Sequence, residues 1–351
     1  MTTATTQCFY SLIFCPMPAD VHPEAVGINE STLAWAERNG LCDGAASARM
    51  IGARPGILSA RVMPRGPRER VQVFADFHTW LFTFDDAYCD EGAPLAMEPQ
   101  AWAAYLACLL RQAESGFADE LPGNAHALAL HDIGTRLAAY ASPAQRSRWT
   151  EGLRCYFSAL VWERRRRVGT VPLSLDDYLR LRLHNGAMQS SIALLDVAGC
   201  FEVPADVWAR SEVRALREMT AVLVSWDNDL FSQHKDRQAG EDNLLLLLEA
   251  EQDLDAEAAR LRAIALRNTV MDLFVRLSDR LTPDAEPALA GLLRSLGCWV
   301  RANLDFSRDS GRYSDPSRVD DPTAPWSDDV TALPTADLPA ETRSWLSAGS
   351  R

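Results

Sequence analysis

Two acidic clusters about 140 positions apart, Asp85-Asp86-Ala87-Tyr88-Cys89-Asp90 and Asn228-Asp229-Leu230-Phe231-Ser232-Gln233-His234-Lys235-Asp236, constrain this chain more than any other feature. Each follows an apolar run, 71–84 in the first case and 221–226 in the second. On a helix turning about 100° per residue, Asp86 and Asp90 share a face, with Asp85 beside them. Asn228, Ser232 and Asp236 recur at four-residue spacing, which lines up an amide oxygen, a hydroxyl and a carboxylate in one stripe. If both clusters serve one site, the fold has to bring two distant helix faces together.

The donors are all oxygen, which suits a hard cation such as Mg2+, an ion of about six oxygen ligands that draws many of them from water and substrate. Neither cluster offers a usable zinc set, and the six histidines include no His-x-x-x-His pair. The plain alternative for the first cluster is a solvated acidic helix end. For the second that alternative is weaker, because Asn, Ser and Asp are poor helix formers and gain nothing by recurring every four residues in an apolar helix.

Helical periodicity dominates the rest of the chain and alternating strand patterns are scarce. It predicts helices over 31–39, 68–88, 98–115, 124–141, 143–167, 175–199 with a break near Gly186, 205–236, 253–280 and 285–309. Prolines punctuate these runs where helix starts are needed, at Pro64, Pro67, Pro143, Pro172, Pro204 and Pro283, and Pro122-Gly123 reads as a turn. Residues 316–351 differ, with five prolines among Asp and Ser, and read as loop or disorder, able to act as a flap. The fold expected is a single all-α domain over 1–315, antiparallel helices around a central cavity, followed by that tail.

Composition narrows the function classes. A chain of 351 residues with 47% hydrophobic content can bury a large core, and a formal charge of -13 argues against nucleic acid, whose phosphates need a basic surface. The one basic run, Arg164-Arg165-Arg166-Arg167, reads as a solvated helix end. Eight dispersed cysteines read as free thiols in a reducing compartment. With no basic segment near Met1 and no apolar stretch of 18 residues, the expectation is a cytoplasmic protein without stable membrane association.

With these residues in view, the chain resembles the bacterial class I terpene synthases, or terpene cyclases, over most of its length. The first cluster matches the family's aspartate-rich motif in the variant with one extra residue. The second matches its Asn/Ser/Glu metal triad, with Asp236 where Glu is commoner. The family's diphosphate-sensing Arg, 46 positions before the triad Asn, falls on Arg182 in Tyr178-Leu179-Arg180-Leu181-Arg182-Leu183-His184-Asn185-Gly186. Trp299, Asn303, Phe306 and then Arg312-Tyr313 follow its closing pattern, with Phe306 where Trp is more usual, and His22-Pro23 and Trp35 resemble its opening.

The resemblance implies metal ligation by Asp85, Asp86, Asp90, Asn228, Ser232 and Asp236, three Mg2+ ions per site, a prenyl diphosphate substrate, and a monomer or homodimer. It further implies diphosphate contacts from Arg182, Arg312 and Tyr313, and a helix break at Asn185 and Gly186 that couples sensing to ionisation, for which Gly186 suits a strained turn. The cation left by ionisation needs an apolar, aromatic cavity. Phe82, one turn before Asp86, and Trp299, one turn before Asn303, are placed to supply π faces, although aromatics at helical spacing also read as core. His78 reads as a structural histidine. Farnesyl diphosphate is the expected substrate, ahead of geranylgeranyl and geranyl diphosphate. A chain-elongating prenyltransferase and a non-catalytic isoprenoid diphosphate-binding protein are the rival readings, the first weakened because it would carry a second aspartate-rich motif where Asn228, Ser232 and Asp236 stand.

Overall fold

The structure is a computed structural model that describes residues 8–90, 97–116, 121–168, 173–313, 321–331, 333–334, 336–339, 342 and 345; within these, the side chains of Ala45, Asp90 and residues 166–168 lie outside the description. Among the described residues these α-helices run in order: α1 (Ala25–Arg38), α2 (Gly44–Ala53), α3 (Pro55–Val62), α4 (Arg68–Asp85), α5 (Pro99–Ser115), α6 (Ala125–Leu137), α7 (Pro143–Val168), α8 (Leu175–Asn185), α9 (Met188–Ala193), α10 (Leu195–Ala198), α11 (Ala205–Ala209), α12 (Ser211–Ala239), α13 (Leu244–Gln252), α14 (Ala256–Leu281) and α15 (Pro287–Asp309). No strand occurs among the described residues, whose sole β feature is an isolated bridge between Phe14 and Ser327. The all-α expectation holds.

Local chemistry explains most boundaries. Pro67 caps α4, Pro99, Pro143 and Pro287 open helices at a position that needs no N–H donor, and Asn124, Ser174, Asn243 and Asp255 each accept a backbone N–H in the first turn of the helix they cap. Gly116 and Gly240 end α5 and α12 with φ of 70° and 69°, values that favour glycine. Three helices lie outside the sequence expectation. α2 is short and glycine-bearing, α3 opens on a Pro55-Gly56 pair, and α13 fills what reads as the gap between two longer helices. α15 starts at Pro287 rather than just after Pro283. Pro172 lies outside the described residues.

α4 and α12 carry the two clusters, and each buries more than half of its residues. α4 buries residues on nearly all sides, from Val71 to Phe84, and α12 buries Trp226, Leu230 and Phe231 among others. α12 packs against α14 and α15, α15 against α3, and α3 against α4, while α7 presses on α8 and α9. Of these, α3, α4, α7, α8, α9, α12 and α15 line the wall of a central cavity that opens beside the end of α4. Described residues of the tail pack on this wall: Trp326, Leu338 and Trp345 are buried, and the indole N–H groups of Trp326 and Trp345 donate to Asp305 and Glu218 at 2.8 and 2.9 Å.

Candidate active site

The end of α4 is not the α-helix the spacing predicts. From Asp86 to Asp90 the backbone widens into a π turn, so the α-helix stops at Asp85. This widening aims adjacent carboxylates differently. Asp85 lines the cavity mouth, whereas Asp86 lies beside it and receives Arg312 Nη1 at 2.6 Å, with Arg49 Nε at 3.9 Å. Arg312 also reaches Asp85 at 3.3 Å and stands 5.2 Å from the ring of Phe82. The side chain of Asp90 lies outside the described part of the structure.

Across the mouth, Asn228, Ser232 and Asp236 line the same pocket from successive turns of α12. Asn228 donates to Tyr313 Oη at 2.8 Å, and Ser232 Oγ donates to Asp236 Oδ2 at 2.5 Å. The 46-residue spacing to Arg182 closes in space: Arg182 Nη2 reaches Asn228 Oδ1 and Asp229 Oδ1, each at 2.7 Å. Nη1 donates to Asn185 Oδ1 at 3.3 Å, and Nε is buried without a hydrogen-bond partner. Arg182, Asn185, Asn228, Arg312 and Tyr313 thus converge with Asp85 on one opening.

Of the groups around Arg182, the sequence assigns no role to Asp229 and Tyr178. Asp229, 1% exposed, accepts from Arg182, from Tyr178 Oη at 2.5 Å and from the backbone N–H of Leu244. Burial raises the Asp229 carboxyl, and Arg182 and the Tyr178 hydroxyl work against that shift. Burial disfavours the Arg182 charge most strongly of any single influence, but Asp229, Tyr178 and Asp236 together outweigh it and hold the guanidinium charged. Glu163, Lys235, Glu241 and Asp242 line the mouth as well; the signal that could have found the last two is their place just after Gly240, where the chain turns back over α12.

Below the polar mouth the cavity turns apolar and aromatic. Phe82, Tyr156, Trp299 and Phe306 line it with Leu58, Leu81, Met188 and Val224. Phe82 stacks on Phe306 at 5.7 Å, so Phe306 faces the cavity from the position where Trp is more usual. Trp299 meets the His78 ring edge to face at 5.3 Å. His78 is anchored by Phe74 O at 2.9 Å and Ser191 Oγ at 3.2 Å, and burial pushes its pKa down to about 4, which leaves the ring neutral.

The helix break falls where expected, but for a different reason. Gly186 has φ -85° and ψ 11°, ordinary values, and the left-handed residue is Ala187 at φ 55°. What glycine gives at 186 is a close approach to α12: a Cβ there would sit 3.0 Å from Ser225 Oγ, so that hydroxyl would have to shift to admit a side chain. Gly152 of α7 lies still closer to the segment after the break: a Cβ would meet the Ser190 backbone at 2.4 Å. The break is therefore clamped from both sides.

The donor set fits a hard cation shared with an anion. Among the described residues no three acidic, His or Cys side chains converge on one point. The ligand oxygens are divided between two walls and include an amide and a hydroxyl, so ions held there must complete their shells from substrate oxygens and water. The unpartnered Nε of Arg182 suits an oxyanion.

Comparisons with known proteins agree. Residues 76–272 match the family model described as terpene synthase family 2, C-terminal metal binding. The chain is 46% identical over 310 residues to a (+)-T-muurolol synthase of Streptomyces clavuligerus, covering 87% of this chain and 74% of that protein. It is 32% identical to a germacradien-6-ol synthase of Streptomyces pratensis, over 88% of this chain and 87% of that one. A crystal structure of the ancestral protein SVS_A2 superposes with a TM-score of 0.82 at 27% identity, covering 96% of this chain and 98% of that one. The chain belongs to the terpene synthases, metal-dependent class I cyclases of prenyl diphosphates.

Proposed function

We propose that this protein converts farnesyl diphosphate into a cyclic sesquiterpene with release of diphosphate, using Mg2+ held between Asp85, Asp86 and Asp90 on one side and Asn228, Ser232 and Asp236 on the other. The observation that carries the reading is the meeting of the two clusters, Arg182 and Arg312 at one polar mouth above an aromatic cavity. The substrate rests on likeness: the Streptomyces clavuligerus relative bears the description farnesyl diphosphate cyclizing. Three Mg2+ ions per site is the count we propose. Residues 1–315 form the catalytic domain with 316–351 as a tail, in a cytoplasmic protein; no helix among the described residues is long and apolar enough to cross a membrane.

Bound there, Mg2+ supplies Lewis-acid neutralisation of the charge that grows on the leaving diphosphate as the C–O bond breaks. Arg182 and Arg312, now bonded to Asp229, Asp85 and Asp86, add planar forks of charged donors to the diphosphate oxygens, and Tyr313 adds a hydroxyl. Asn185 and Gly186 link Arg182 to the clamped break that lines the cavity. Phe82, Phe306 and Trp299 exclude water and face the allylic cation with their rings.

Incubation of the purified protein with Mg2+ and geranyl, farnesyl or geranylgeranyl diphosphate, each with and without isopentenyl diphosphate, tests the reading by gas chromatography and mass spectrometry. A cyclic C15 product from farnesyl diphosphate alone is expected. Longer diphosphates formed only with isopentenyl diphosphate would establish chain elongation, and bound but unconsumed substrate a binding protein.

A further inference from the structure

Asn243 is fully buried on the loop that follows α12, and it is not one of the residues that line the mouth. Its side chain uses every hydrogen-bonding group it has on this part of the molecule. Oδ1 accepts from the Leu245 N–H at 2.9 Å and so caps α13. Nδ2 donates to the Asp236 carboxylate at 2.8 Å and to the backbone oxygen of Asp229 at 2.9 Å. The amide orientation is fixed by these neighbours: the Leu245 N–H needs an acceptor, while the two oxygens need donors.

The loop is built to deliver that contact. Gly240 turns the chain with φ 69°, the Glu241 N–H donates to Asp236 O at 2.9 Å, and the Leu244 N–H donates to Asp229 Oδ2 at 3.3 Å. The segment from 240 to 245 therefore folds back over one stretch of α12. Asp236 and Asp229 face different tasks from that stretch, the first toward the metal ligands and the second toward Arg182. Asp is one methylene shorter than Glu, and its Oδ2 is fixed by Ser232 on one side and Asn243 on the other.

We propose that Asn243 is a positioning residue for the metal-diphosphate site, pinning the Asp236 carboxylate and the Asp229 backbone so that the metal ligand and the holder of Arg182 act as one unit. The inference rests on the proposed function above. Hydrogen-bonding partners of metal ligands contribute about 10-fold to 100-fold in metal affinity when removed, because an unheld ligand has to be ordered each time the ion binds.

Asn243→Ser and Asn243→Thr keep an oxygen able to cap α13 but lack a donor that reaches Asp236, whereas Asn243→Ala loses both. Mn2+ binding in the presence of inorganic diphosphate, followed by electron paramagnetic resonance, gives a readout independent of turnover. Asn243→Ser and Asn243→Thr are expected to bind Mn2+ about 10-fold more weakly than wild type, with a melting temperature above that of Asn243→Ala. Wild-type Mn2+ affinity in either variant would overturn the positioning role and leave Asn243 a helix cap alone. Absence of diphosphate-dependent Mn2+ binding in the wild type would overturn the metal-diphosphate reading together with this inference.

Discussion

The two walls of the polar mouth are built in opposite ways. Asp85 and Asp86 sit at the C-terminal end of α4, where the helix loosens into a π turn, and the Asp85 side chain is 39% exposed. Carboxylates at that end face the negative pole of the helix and repel one another, so the wall is costly without a cation; here Arg312 fills that role. Asn228, Ser232 and Asp236 stand in the middle and last turns of a continuous helix of 29 residues, tied to Tyr313, Arg182 and Asn243. The first wall stores charge and the second stores order. Metal and diphosphate supply what the first lacks and use what the second already has.

That contrast predicts separable losses. Asp229→Ala strips the partner from Arg182 and the acceptor from Tyr178 inside the second wall, so it should cost about 3–5 kcal/mol of unfolding free energy along with activity. Denaturant titration would measure it, and unchanged stability would mean that order there does not depend on the buried pair. Asp85→Ala should do the reverse: kcat/KM falls by about 100-fold while the melting temperature moves by no more than about 2 °C. Asp86→Ala, outside the cavity lining, should lose about 10-fold. Equal losses for the two aspartates would deny the different aims that the π turn gives them.

Arg182→Lys probes the charged donor that the second wall holds. It keeps one charge for Asp229 but cannot span Asn228, Asp229 and Asn185 together, and kcat should fall by about 10-fold with little change in stability. Normal turnover would return Arg182 to an ordinary ion pair. The smallest rate effect belongs to the aromatic compartment below. Phe82→Leu keeps apolar volume but removes the ring stacked on Phe306, so diphosphate release should persist within about 2-fold while products shift toward acyclic or less cyclised compounds. An unaltered product profile would make Phe82 core rather than cation contact.

The difference between the walls also explains what the sequence makes visible. The stripe of Asn228, Ser232 and Asp236 is legible because one rigid helix converts four-residue spacing into a shared face, and Arg182 is legible because its distance from Asn228 is a fixed offset in a known pattern. Asp229, Tyr178 and Asn243 carry no such signal. Their pairing joins α8, α12 and the cap of α13, and a buried carboxylate chooses its partners only after those elements pack. Gly186 shows the same limit: the break is readable, but the close approach to Ser225 belongs to tertiary structure, and the positive φ falls on Ala187 instead. The helices α2, α3 and α13 escaped because glycine, a Pro-Gly start and a short leucine run mask their period.

Diphosphate release from farnesyl diphosphate, followed with wild-type protein in excess EDTA and again after Mg2+ is added beyond the chelator, asks whether the two walls work through a shared cation. Release should be absent in EDTA and return with Mg2+, because two divided sets of oxygens can neutralise a leaving diphosphate only through ions held between them. Full release in the presence of EDTA would contradict this reading and leave the positive charge to side chains of the mouth such as Arg182, Arg312 and Lys235.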